Sequence, residues 1–238
     1  MKRRLFCIYP LCVVMLCAAG STVVRGADSF SINVTGKIMP AACQAVFAGG
    51  ETFDYGTLAA SSLSRTGETI LPVKSTGFSV RCSAPMKMAF RLTDNRAGTQ
   101  IPRASTFISL VGESYMNGGS VWLGLGTDSK GQPLGAWLAR LSDMKADGKP
   151  VAAVSNVTPG LEDAWVYTNP KDMVFKNFSG SYATSVGNPD HSIGSHPLAF
   201  TVLNGRLEVQ AAVAPSSTLN VAHSIRLDGS VTIEMVYL

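Results

Sequence analysis

Charge is scarce in this sequence. Only 15% of its 238 residues are Asp, Glu, Lys or Arg, against the ~25% usual in a soluble domain. Four of the basic residues, Lys2, Arg3, Arg4 and Arg25, lie in an opening stretch that holds no acidic residue, and the rest of the chain balances sixteen basic residues against sixteen acidic ones. A balanced chain has no electrostatic footprint for nucleic acid or for an anionic membrane surface. Both partner classes are excluded. Catalytic signatures are missing as well. The nearest approach to a Gly-x-Ser-x-Gly elbow is Ser192, which has Gly194 after it but Asp190 where the first glycine belongs. There is no His-Glu-x-x-His and no phosphate-cradling glycine loop. Glu162 and Asp163 are adjacent, so on a strand they point to opposite faces and make a poor acid/base pair. No catalytic, metal or cofactor residue is assigned; a periplasmic hydrolase is the remote alternative.

Long apolar runs are also absent beyond the first. MKRR precedes an apolar stretch of 16 residues interrupted by Pro10, and small residues follow. That stretch is shorter than the ~20 residues a spanning helix needs and has the layout of a secretory signal peptide. Residues 1–27 are therefore expected to be a removed leader, with cleavage between 20 and 27, and residues 28–238 a single exported domain without membrane insertion. Of five cysteines, Cys7, Cys12 and Cys17 leave with the leader. Cys43 and Cys82 remain, and in an oxidising compartment the simplest reading is one disulfide. Closing a loop of about 40 residues contributes roughly 4 kcal/mol in the chain-entropy model. The rival reading, a metal site or reactive thiol, has no Cys-x-x-Cys pair to build on and only three scattered histidines.

What is present is period-two alternation. Phe30, Ile32 and Val34 alternate with polar residues; so do Phe78, Val80 and Cys82, then Met86, Met88, Phe90 and Leu92, then Val121, Leu123 and Leu125. Such runs predict half-buried strands, and their number predicts an all-β sandwich or barrel. Asn204-Gly205, set between two alternating runs, predicts a type I′ hairpin. Residues 127–133, 145–150 and 214–220 read as turns. Gly135–Lys145 reads as either helix or strand. The stretch from about 142 to 197 is the least regular and is expected to be a long ordered insertion.

The two ends carry the functional signal. Near the mature start, Gly36, Ile38, Pro40, Ala41, Ala42 and Cys43 are followed by Asp54-Tyr55-Gly56-Thr57-Leu58 and then by Cys82. At the C-terminus, Val231, Ile233, Met235 and the penultimate Tyr237 alternate along one face. In this order and spacing the chain resembles the subunits of bacterial chaperone–usher fimbriae, closest to an uncharacterised longer fimbrial-like branch marked by sequences such as LTDNRAG (92–98) and GLGTDSKG (124–131). It departs from the pattern at Ile225, where pilins usually carry glycine; the nearest is Gly229.

The resemblance implies an immunoglobulin-like, pilin-type β-sandwich that is incomplete at its C-terminal edge, where a strand from another molecule can pair. Val231, Ile233, Met235 and Tyr237 would wall the accepting groove, and Phe30, Ile32 and Val34 would be the donor strand for a neighbour. The implied partners are a periplasmic pilus chaperone, an outer-membrane usher and neighbouring fimbrial subunits, with no cofactor. The implied route runs through the periplasm to the cell surface, with cell adhesion as the outcome and a tip adhesin as the alternative. The plainer readings stay open: Phe30–Val34 as the protein's own first strand, residues 231–237 as an ordinary strand, and Trp122, Trp137 and Trp165 as core rather than a sugar platform. His191 and His196 read as a solvated loop.

Overall fold

The computed structural model describes residues 42–101, 121–156, 164–169, 173–175, 182–190 and 195–238. Backbone proximity divides the chain into Met1–Met39 and Pro40–Leu238. The leader, its cleavage site and the donor candidates Phe30, Ile32 and Val34 lie outside the described residues, as does His191.

The alternating segments become strands, all antiparallel. In chain order they are β1 (Cys43–Phe47), β2 (Thr69–Ile70), β3 (Lys74–Met86), β4 (Met88–Asp94), β5 (Leu123–Gly124), β6 (Gly135–Ala146) and β7 (Lys149–Pro150). Then come β8 (Ala152–Asn156), β9 (Trp165–Asn169), β10 (Met173–Val174), β11 (Ala183–Gly187), β12 (Phe200–Val213) and β13 (Val231–Tyr237). Among the described residues the helical content is a 3-10 turn, Ala60–Ser62, and a 3-10 position at Val121. One sheet has the order β1-β3-β12-β6-β10, with β2 on β12 and β5 and β7 on β6; the other has the order β13-β4-β11-β8-β9. Neither closes into a barrel. The fold is a two-sheet sandwich.

The run from Phe78 to Leu92 shows how the two layers share one pattern. Its alternation continues unbroken, yet the chain leaves the first sheet after Met86 and enters the second at Met88. Phe78, Val80 and Cys82 from one layer meet Met88, Phe90 and Leu92 from the other, with Phe200, Leu203 and Leu141 buried in the same core. Fully burying side chains of this size contributes about 1.5–3 kcal/mol each, so this seam is what holds the sheets together.

Asn204-Gly205 does not form a hairpin; β12 runs straight through it. On one side Asn204 pairs with Ser79 and Gly205 with Phe78. On the other, pairing steps from Asn204–Lys145 to Arg206–Ser142, so Asp143 and Met144 both stand against Gly205. That is a β-bulge. A Cβ at Gly205 would lie 3.0 Å from the Ser142 carbonyl oxygen, so close approach of the backbone is what glycine permits here. Strand partners on both sides outweigh a local turn preference. The turn dipeptide with two positive φ angles is instead Asp147-Gly148, at 48° and 81°. It joins β6 to β7 through the Ala146–Lys149 pair.

Gly135–Lys145 is strand, inside β6. The stretch expected as an irregular insertion carries β7 to β11 in its described parts. β8 and β11 are interior strands of the second sheet and are buried along their whole length. Gly148 lies in the turn between β6 and β7, while Pro150, Asn156, Asn169 and Gly187 lie at the ends of strands.

Candidate functional site

β13 pairs along its full length with β4, from Val231 opposite Asp94 to Tyr237 opposite Met88. Among the described residues no strand pairs with its other side, so β13 is an edge of the second sheet. Its alternation sorts the side chains. Val231, Ile233 and Met235 pack against the main core while remaining partly exposed, and Thr232 and Glu234 face solvent. Tyr237, on the same parity, is 47% exposed.

The corresponding edge of the first sheet is β1. The Cys43–Cys82 disulfide ties it to β3, where the two residues stand directly opposite in the ladder. Cys43, Ala45 and Phe47 are partly buried against the same core as Val231, Ile233 and Met235. Phe47 stacks 5.4 Å from Phe78, which meets Phe90 edge-on at 6.0 Å. Tyr237 links the two edges: its hydroxyl accepts the Cys43 backbone N–H at 3.2 Å. Among the described residues the sandwich is thus open along one side, with half-buried apolar side chains on both lips. An open edge beside exposed core is a template for an added strand.

The segments singled out by resemblance have physical roles. In Asp54-Tyr55-Gly56, the Asp54 carboxylate accepts the Gly56 N–H at 2.7 Å, and Gly56 takes φ 68°. The tight turn drops Tyr55 and Leu58 against a cluster with Leu125, Leu134 and Ala211. Burial pushes the Tyr55 phenol up to about 12, and Lys74 Nζ sits 5.3 Å from the centre of its ring. In GLGTDSKG, Asp128 accepts the N–H groups of Lys130 and Gln132 at 2.8 and 2.9 Å and that of Asn220 at 3.0 Å. Backbone donation from Gln132 and Asn220 holds its carboxyl below the usual aspartate value.

Other candidates fall away as surfaces. Trp122 and Trp165 are buried, and Trp137 is half-buried with its indole N–H donating to the Gly124 carbonyl at 2.9 Å. All three pack with apolar clusters, in keeping with the reading of them as core. Among the described residues no group of three or more His, Cys, Asp or Glu is placed to hold a metal ion.

A family model described as "Protein of unknown function (DUF1120)" matches residues 32–138. The match takes in the disulfide, Asp54–Leu58 and LTDNRAG, and it stops before β13. Protein GltF of Escherichia coli (strain K12) is 28% identical over 247 aligned positions, covering 96% of each chain. The likeness is nearly end to end. Neither description names a fimbria or an activity.

Proposed function

We propose that this chain is an exported, non-enzymatic structural subunit of a bacterial chaperone–usher fimbria. Its open edge accepts a β-strand from another molecule, first from a periplasmic chaperone and then, at the outer-membrane usher, from the N-terminal extension of a neighbouring subunit. The observation that carries this reading is the half-buried apolar lining on both lips of one sandwich side: Cys43, Ala45 and Phe47 on β1, and Val231, Ile233 and Met235 on β13. A strand alternating like Phe30, Ile32 and Val34 would complete the burial of both rows while satisfying the outer backbone edge of β13. Burial drives such an exchange, so no cofactor is required.

The test is co-expression. With its cognate chaperone the mature chain is expected as a soluble 1:1 complex; alone it is expected to aggregate. A peptide spanning Asp28–Gly36 is expected to displace the chaperone. A stable monomer made in good yield without any chaperone would overturn the reading, and inertness of the peptide alone would move the chain from the shaft to the tip of a fibre.

A further inference from the structure

The edge strand β13 has one ladder partner among the described residues, yet its first residues are gripped by more than that ladder. Asp94, buried at the end of β4, spends both carboxylate oxygens on the backbone: one accepts the Arg96 N–H at 2.8 Å and the other the Gly124 N–H at 2.8 Å. This fixes the turn 94–98 and aims its next two side chains at the approach to β13. The Asn95 amide donates to Ser230 Oγ at 3.0 Å and to Thr232 Oγ1 at 3.2 Å, while its backbone N–H bonds to the Ser230 carbonyl at 3.0 Å. Arg96 meets Asp228 at 2.8 Å and donates back to the Asn95 carbonyl at 3.1 Å. Between these contacts Gly229 lies against the Trp137 indole so closely that a Cβ would come within 2.7 Å of Nε1. The far end of β13 is held more lightly, by the Tyr237 hydroxyl and by one N–H from Leu238 to the Lys87 carbonyl.

We propose that Asp94-Asn95-Arg96 is a latch that seats β13 on β4 before any second strand arrives, with Asn95 and Arg96 as positioning residues for the accepting edge. The role follows from the edge position. A strand with neighbours on both sides needs no further fixing, whereas one with a single neighbour frays from its ends. If β13 frayed, an incoming strand would have to order it during binding, and its apparent affinity would fall by the fraction of time the edge is unformed. The latch removes that cost at the end where the chain enters the strand. This role for the latch rests on the strand-accepting function of the edge; the seating of β13 itself does not.

Hydrogen exchange on the mature chain, released from its chaperone complex and kept dilute, separates the two. Asn95→Ala with Arg96→Ala is expected to speed exchange of the β13 amides that bond to β4, those of Thr232, Glu234 and Val236, about tenfold, the factor that one or two net hydrogen bonds bring, and to leave β12 unchanged. Arg91→Ala, which breaks the exposed Arg91–Glu234 pair on the same two strands, is expected to leave β13 exchange as it was. Binding of the Asp28–Gly36 peptide to the latch variant is expected to weaken by a similar factor. Unaltered β13 exchange, or a uniform rise across β12 and β13 together, overturns the latch. Normal latch behaviour in an unmodified chain that is also a stable monomer in good yield without any chaperone overturns the strand-accepting function instead, while peptide inertness alone bears only on the donor.

Discussion

Single residues in this molecule are explained by what their neighbours leave no room for. Gly229 does not use a positive φ; its requirement is the face of Trp137, which cannot retreat because its N–H is bonded to the Gly124 carbonyl. Gly229→Ala is therefore expected to cost about 1–3 kcal/mol of stability, the usual range for forcing a methyl into filled space. Gly67→Ala, whose Cβ would meet Ser64 Oγ at 3.5 Å, is expected to be close to neutral. Thermal unfolding of both variants checks the contrast, and equal effects would remove the packing explanation. Asp128 works through charge rather than space. Its native pKa lies below the ordinary value of 3.8 because three backbone N–H groups favour the carboxylate. A lowered folded pKa means that the ionised form stabilises the fold, fully above the unfolded value and decreasingly as pH falls through the native one. Asp128→Asn is expected to lower the melting temperature at neutral pH, with the gap to the unmodified chain closing only once the pH drops below 3.8. A gap that persists in strong acid would mean that ionisation plays no part.

At the scale of elements, the legible parts were those with a pattern longer than a turn. The alternation through Phe78–Leu92 and Val231–Tyr237 predicts strands that the structure contains, and the two cysteines beyond the apolar opening stretch predict the bond between β1 and β3. Asn204-Gly205 misled because a dipeptide reports local φ preference while β12 is decided by partners on both sides. Residues 142–197 looked irregular because β8 and β11 are buried on both faces, and a doubly buried strand such as Ala152–Asn156 shows no alternation. The roles of Asn95, Arg96 and Asp228 were out of reach, since their partners lie 132 to 137 positions away along the chain. Only Asp-Asn-Arg at a strand end, a turn-forming run, hinted that something is held there. Tyr237 tests the edge element directly. Tyr237→Ala removes both the half-exposed ring and the hydroxyl that accepts the Cys43 N–H. It is expected to abolish co-purification with the chaperone, whereas Tyr237→Phe, which loses the hydroxyl alone, is expected to retain most of it. Full capture by the alanine variant would make β13 an ordinary strand.

For the whole molecule, the consequence of the proposed strand-accepting side can be measured without any partner. β13 runs toward Leu238, so a segment added beyond Leu238 through an Asn-Gly turn would return antiparallel along its free edge. If residues 28–36 are that segment, Phe30, Ile32 and Val34 are spaced to enter the row between Val231, Ile233 and Met235 on one lip and Ala45 and Phe47 on the other. Burying three such side chains contributes about 1.5–3 kcal/mol each before the entropy of ordering the added strand. In a domain of this size each kcal/mol moves the melting temperature by about 2–4 °C, so the fused chain is expected to melt on the order of 10 °C higher. It is also expected to stay monomeric at concentrations where the unfused chain associates through its open edge. A control fusion with Phe30, Ile32 and Val34 replaced by serine keeps the backbone and loses the burial, and is expected to gain little. Equal melting temperatures for the fused, control and unfused chains, with all three monomeric, would mean that the sandwich is complete as it stands, and the strand-accepting function would fall with that result.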